Sequence, residues 1–282
     1  MPELPEVETV TRQLAKVIIG KKIQKIEVLK VKSWHGDVRA LEGSVVRKIS
    51  RRAKMIRFHF DKKMNVLIHL KMSGQLIYVE GQKRVGGGHP SADWVNALPS
   101  SHTRVIFTFS DGTHLFFNDQ RIFGWMKVMS DEEVEKEFAK LGPDITDPKI
   151  TVEYLAERFT KRNIPVKQLI MDSAIIAGVG NIYACDALNL ARISPKRPAK
   201  TLSRKELQTL LKSMRTVIDL GIKLGGATVH GKYVHVSGLS GSYQNVLRVY
   251  NKKGESCPNC GHAIQKITLG GRGTFYCSHC QK

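Results

Sequence analysis

No stretch of this chain approaches the ~18 consecutive apolar residues that a membrane-spanning helix needs. Its start, Met1-Pro-Glu-Leu-Pro-Glu6, is acidic and punctuated by proline, the opposite of an export leader. Acidic residues are scarce: 25 Asp and Glu face 45 Lys and Arg, a formal charge of +20. That imbalance fits a polyanionic partner, because clustered Lys and Arg displace counterions from phosphates; a solvated basic surface or an anionic membrane is the bland alternative. No basic amphipathic helix dominates, so nucleic acid is favoured over an anionic membrane. Cysteine is limited to five residues, an odd number. With no leader, this reads as a cytosolic protein and not as a disulfide scaffold. Gly86-Gly87-Gly88 is not followed by a lysine-serine pair, so it is no phosphate loop. Repeats and low-complexity tracts are absent. The 282 residues suffice for two domains of ordinary size.

What is present begins at the second residue. If Met1 is trimmed, Pro2 offers a secondary amine beside the Glu3 carboxylate. An α-amino group titrates near ~8, well below a lysine at ~10.4, so it is partly neutral at physiological pH. Such an amine can attack an aldehyde carbon and form an iminium, and Glu3 can supply or remove the proton. The same residues also suit a helix start, where proline and carboxylates are common.

Leu4, Val7, Leu14, Val17 and Ile18 fall on one helical face up to Gly20, with Arg12 and Lys16 outside it. Short alternating segments follow around Val45, Ile56 to Phe60, Leu67, Ile77, Val105 to Phe109, Leu115 and Trp125. They predict an antiparallel sandwich or barrel. The glycine-rich stretch 81–103, which holds Trp94, reads as a mobile loop. Ser130 and Glu133 have capping-box spacing and open a helix through Lys140. A Gly- and Pro-punctuated connection at 141–148 is the best boundary. Helical patterns then cover about 151–161, 165–172, 181–191 and 203–224, with Asn181 read as an N-cap. Residues 227–245 read as a mobile loop.

Near the C-terminus, Cys257-Pro-Asn-Cys260 and Cys277-Ser-His-Cys280 are separated by sixteen residues. Two matched pairs predict a four-thiolate zinc site, closed and therefore structural. Between them, Gly270-Gly271-Arg272-Gly273 raises one arginine on a flexible turn suited to a phosphate.

Three of these stretches carry a resemblance. The start PELPEVETV, the segment Gly178-Val-Gly-Asn181-Ile-Tyr-Ala, and the zinc segment down to Arg272-Gly-Thr-Phe-Tyr-Cys277 are similar to the formamidopyrimidine-DNA glycosylases, bacterial enzymes that remove oxidised purines from DNA. The resemblance implies an α+β fold in which a leading helix and β-sandwich precede a helical domain and a four-cysteine zinc finger. The helical domain would carry a helix–two-turn–helix motif. The boundaries read as 1–143, 144–250 and 251–282. It implies Pro2 as nucleophile and Glu3 as proton donor, with Lys54 and Arg272 also catalytic. DNA would be held by His69, His102, Lys167 and Asn181, while Met72, Arg121 and Phe123 fill the stack vacated by the flipped base. Glu6 and Asp172 would support the active site. The usual Asp-Pro-Arg-Arg-Phe segment reads Asp119-Gln-Arg-Ile-Phe123 here.

The expected activity is excision of 8-oxoguanine and formamidopyrimidines from damaged double-stranded DNA, followed by β,δ-elimination. One structural zinc ion would be the sole cofactor, and a monomer in the bacterial cytoplasm would act on the nucleoid. Two alternatives stay open: an endonuclease VIII-like glycosylase for oxidised pyrimidines, and a non-catalytic zinc-dependent DNA-binding protein.

Overall fold

Alternation between large apolar and polar residues shapes the first half of the chain. The computed structural model describes residues 2–89, 91, 93, 96–227 and 241–282. It divides into two compact units, Met1–Ala139 with Leu224–Ser242, and Lys140–Lys223 with Tyr243–Lys282.

The first unit opens with helix α1 (Leu4–Ile18), as its periodicity predicts. Leu4, Val7, Val10, Leu14 and Ile18 are buried while Arg12 and Lys16 face solvent. Each buried aliphatic contributes roughly 1.5–3 kcal/mol by leaving water. Gly20, at φ +88°, ends the segment in a conformation that glycine adopts without strain.

Ten strands follow: β1 (Ile23–Val28), β2 (Trp34–His35), β3 (Val46–Arg52), β4 (Met55–Phe60), β5 (Met64–His69), β6 (Gly74–Glu80), β7 (Lys83–Gly88), β8 (Thr103–Phe109), β9 (His114–Asp119) and β10 (Trp125–Ser130). They form two five-stranded sheets, ordered β1-β8-β9-β6-β7 and β2-β10-β5-β4-β3. All pairings are antiparallel except that of β2 with β10. Phe107, Phe117 and Leu76 of one sheet share a core with Phe58, Val66 and Met126 of the other, joined by Val7, Val10 and Leu14 of α1. This is the expected sandwich.

The glycine triplet departs from the predicted loop. Gly86, Gly87 and Gly88 lie in β7 opposite Ile77, Leu76 and Gln75. A Cβ on Gly87 would stand 2.5 Å from the Val10 side chain, so the missing side chain lets α1 rest on this strand. The Trp94 part of the predicted loop lies outside the described residues. Helix α2 (Asp131–Phe138) closes the segment, and its capping box forms as predicted: Ser130 Oγ accepts from the Glu133 N–H (3.2 Å), and a Glu133 oxygen accepts from the Ser130 N–H (2.7 Å).

The second unit holds α3 (Val152–Phe159), α4 (Val166–Ile170), α5 (Asn181–Leu190) and α6 (Arg204–Lys223), then strands β11 (Gln265–Leu269) and β12 (Arg272–Tyr276). Each predicted helix forms, shorter at its ends. Helix α5 is buried from Ile182 through Asn189, so the unit is built around it. Residues 228–240 of the predicted mobile loop lie outside the described residues. Its far end is packed: Tyr243 is buried and its hydroxyl donates to Asp186 Oδ2 (3.1 Å). The fully buried Asp186 also accepts from the backbone N–H groups of Arg248, Val249 and Tyr250, fixing the approach to the cysteine segment.

Candidate functional site

At the start of α1, Pro2, Glu3 and Glu6 are all buried. Burial of a carboxylate demands donors, and Glu6 has two of known geometry. Its Oε2 accepts from the Glu3 N–H at 2.7 Å, and its Oε1 from the Ala227 N–H at 2.6 Å. A Cβ on Gly226 would stand 2.7 Å from the Glu6 carboxylate. Glu6 therefore joins the helix start to the chain at 226–227, beyond the helix-start role its position gives it.

Lys54 lies in the β3–β4 turn. Ala53 before it adopts φ +54°, and the Arg51 guanidinium donates to the Ala53 carbonyl (2.8 Å) and to Glu8 of α1 (2.7 Å). Burial pushes the Glu8 carboxyl up, but hydrogen bonds from Arg51 and Arg12 outweigh it and hold it below the usual range. The backbone that carries Lys54 is thereby tied to the helix that carries Pro2.

His69 ends β5. Burial, with Lys71 and Lys54 nearby, pushes its pKa down to about 3, so the ring is neutral at neutral pH. Its Nδ1 accepts from the Lys71 N–H (3.0 Å), which leaves the proton on Nε2. His69 can thus donate one hydrogen bond to a phosphate without adding charge. Met72 stands on the next turn, after Lys71 at φ +51°. Arg121 and Phe123 are exposed on the β9–β10 turn, the guanidinium 4.8 Å from the ring centroid. His102 is half-buried, its Nδ1 3.0 Å from Asp93.

In the second unit, Lys167 is buried and not a surface charge. Its Nζ donates to Asn181 Oδ1 (2.5 Å) and Thr274 Oγ1 (2.7 Å), while Asn181 Nδ2 donates to the Gly273 carbonyl (3.0 Å). Asn181 is therefore not the N-cap. Gly180 takes that place, because the asparagine side chain is drawn to the lysine and the hairpin. Arg272 is exposed, opposite Leu269 across a two-residue turn. Gly270 and Gly271 have φ +55° and +70°, the backbone that a tight two-residue hairpin turn requires. Asp172 lies exposed after α4 and accepts from the Ala174 N–H (3.0 Å).

The side chains that the resemblance assigns to phosphates differ in charge: Arg272 is cationic, while His69 and Asn181 are neutral. Arg272→Ala should flatten the salt dependence of duplex affinity by about one phosphate, ~0.9 in the log–log slope. His69→Ala and Asn181→Ala should weaken binding with little change of slope. Titrations across a salt series check this, and an unchanged slope for Arg272→Ala would remove its phosphate role.

The four cysteine sulfurs lie within 4.8 Å of one another, with Cys257 to Cys280 at 3.7 Å and Cys260 to Cys277 at 3.5 Å. A zinc tetrahedron with bonds of ~2.3 Å needs sulfurs ~3.8 Å apart, so the donor set fits a single structural zinc ion. Asn189, buried in the last turn of α5, points Nδ2 at Cys257 Sγ (3.6 Å) and Gln281 Oε1 (3.1 Å). The metal site is thus fastened to the helix that begins at Asn181.

Three family models match the chain: the formamidopyrimidine-DNA glycosylase N-terminal domain over residues 1–126, the formamidopyrimidine-DNA glycosylase H2TH domain over 141–232, and the zinc finger found in FPG and IleRS over 254–282. The formamidopyrimidine-DNA glycosylase of Desulforamulus reducens is 38% identical, covering 100% of this chain and 99% of its own. The chain belongs to the formamidopyrimidine-DNA glycosylase family. The glycosylase of Geobacillus kaustophilus is 36% identical over the full length of both. Among solved structures, a Lactococcus lactis glycosylase mutant in complex with Fapy-dG-containing DNA superposes with a TM-score of 0.89 at 32% identity, covering all of both chains. The Lactococcus lactis enzyme with abasic-site DNA gives the same values. The zinc finger and the oxidised-purine glycosylase reading both stand with this glycosylase family. No helix among the described residues is long and apolar enough to cross a membrane.

Ser73, Asp119, Asn189 and Thr274 were not singled out by sequence reasoning. Ser73 and Asp119 lie inside segments that resemble the glycosylases, but their burial is a tertiary property without local signature.

Proposed function

We propose that this DNA glycosylase excises oxidised purines through Pro2 and then cleaves the strand as a lyase. What carries the reading is the buried start of α1, where Pro2 adjoins Glu3 and Glu6 holds the Glu3 backbone. A base inside the duplex is out of reach, so the lesion nucleotide is flipped out. With Met1 removed, the neutral Pro2 nitrogen attacks C1′ and the glycosidic bond breaks, its electron pair leaving with the base, which takes up the proton that the Pro2 nitrogen sheds. Glu3 protonates the sugar ring oxygen as the ring opens, giving an iminium between Pro2 and C1′. Loss of a C2′ proton expels the 3′ phosphate, and a second elimination expels the 5′ phosphate. Neutral His69, Asn181 and cationic Arg272 hold phosphates; Lys167 acts through Asn181. Cys257, Cys260, Cys277 and Cys280 would hold a zinc ion that orders the finger and takes no part in the chemistry. The protein acts as a monomer on nucleoid DNA in the cytoplasm.

The test compares duplexes carrying 8-oxoguanine or an oxidised pyrimidine. Faster release of the purine supports the reading. Faster release of the pyrimidine would transfer the chain to the endonuclease VIII type of activity, and tight binding without release would leave a binding protein.

The partner base supplies a second measurement. The Arg121 guanidinium can donate two hydrogen bonds to the O2 and N3 acceptors of an orphaned cytosine. Arg121→Ala should reduce the preference for lesions opposite cytosine by about 1–3 kcal/mol. Phe123→Ala should slow excision opposite every base, because the ring contacts any base face. Single-turnover rates on four duplexes check both, and an unchanged ratio for Arg121→Ala would end the cytosine reading.

A further inference from the structure

The turns bearing Met72 and Arg121–Phe123 meet at one carboxylate. Asp119, the last residue of β9, is fully buried. Its Oδ1 accepts from the Ser73 hydroxyl and from the Arg121 N–H at 3.2 Å. Its Oδ2 accepts from the N–H groups of Phe123 (2.8 Å) and Gly124 (2.6 Å). Ser73 Oγ accepts in turn from the Arg121 N–H at 2.9 Å. Four donors meet this buried carboxyl, which forms no ion pair among the described residues, the Arg104 guanidinium reaching the Asp119 backbone carbonyl instead (2.8 Å). Buried carboxylates persist only with such satisfaction.

The loop is also held where it would not rest alone. Ile122 adopts φ +55°, a left-handed conformation that a β-branched residue avoids. The bonds to the flanking Arg121, Phe123 and Gly124 over-determine it, the condition under which strain persists. A Cβ on Gly124 would stand 2.8 Å from Phe117 and 3.0 Å from Asp119. A Cβ on Gly74, beside Ser73, would stand 2.4 Å from the Leu70 carbonyl. Both turns are seated tightly.

We propose that Asp119 and Ser73 are positioning residues that lock the Met72 turn to the Arg121–Phe123 turn, so that the three side chains enter the vacated stack as one rigid wedge. This rests on the excision reading above. Three independently mobile side chains would each lose freedom on insertion; a wedge held in place has lost most of it already.

The test uses the full-length, zinc-loaded protein on two substrates. One is an 8-oxoguanine duplex, which requires the wedge. The other is an abasic site in single-stranded DNA, which leaves no orphaned base to support. Asp119→Ala should slow duplex excision roughly 100-fold, the scale of an ångström-level misplacement, while single-strand cleavage keeps its wild-type rate. Asp119→Asn should recover part of the loss, because its amide oxygen still accepts from Phe123 and Gly124 while its NH2 donates to Ser73. Met72→Ala should slow the wild type but add almost nothing to Asp119→Ala, since coupled residues are non-additive. If Asp119→Ala lost both activities in proportion, or if the Met72→Ala effect multiplied unchanged, the lock would be wrong. A wild type inert on both substrates would instead overturn the excision reading, and the wedge with it.

Discussion

Borohydride reduction during turnover of an 8-oxoguanine duplex is expected to leave a permanent protein–DNA adduct, mapped by peptide analysis to Pro2. Once Met1 is removed, Pro2 presents a secondary amine, and α-amino groups in general titrate near ~8 against ~10.4 for lysine, so a terminal amine is the better nucleophile at pH 7. Glu3→Gln is expected to slow base release by about 10²–10⁴-fold, the usual contribution of a positioned proton donor. Duplex affinity should hold, because the substitution leaves the cationic groups in place. The Glu3 N–H bond to Glu6 belongs to the backbone, and the amide oxygen of Gln can still accept from the Glu6 N–H as the Glu3 side chain does, so the helix start survives the change. An adduct on Lys54 would replace the terminal amine with the lysine of the β3–β4 turn.

The second large effect is metal loss. Cys277→Ser should reduce zinc from one ion per chain to none and weaken duplex binding. Structural zinc binding contributes on the order of 10–16 kcal/mol to folding in isolated fingers at pH 7. Cys277 is fully buried, in a small core with Cys185, Val249, Ile264 and Phe275. Once that core opens, Thr274 no longer receives Lys167, and the Gly273 carbonyl no longer receives Asn181. Metal analysis alongside binding titrations decides it. Zinc at zero with affinity unchanged would separate the finger from DNA altogether.

How much of this was legible in the sequence depended on distance along the chain. Helix α1, the Ser130 capping box and the two cysteine pairs are written in neighbouring residues, and the structure forms them as expected. The glycine triplet misled because glycines read locally as a turn. It is a strand because it pairs with β6, and Gly87 lacks a side chain because of Val10, over seventy residues away. Asn181 has good N-cap chemistry, yet Lys167 and Gly273 claim its side chain. Nothing local marks the link from Glu6 to Ala227, or Asp119 as the buried centre of two turns. Resemblance alone suggested Met72, Arg121 and Phe123 as a wedge; only the three-dimensional contacts say what holds the turns that carry them.

Three left-handed residues have a practical consequence. Ala53, Lys71 and Ile122 directly precede Lys54, Met72 and Phe123, at φ +54°, +51° and +55°. A side chain in that conformation costs roughly 1–2 kcal/mol, and glycine would relieve it. Selection for heat resistance would therefore be drawn to positions 53, 71 and 122, where a single exchange brings an immediate gain. Those exchanges would also free the backbone beneath Lys54, Met72 and Phe123, the side chains that the proposed mechanism places at the DNA. Thermostability and turnover are thus set against each other at the same codons, and a hardened variant of this enzyme is better sought in α6 or on the outer strands than in its turns.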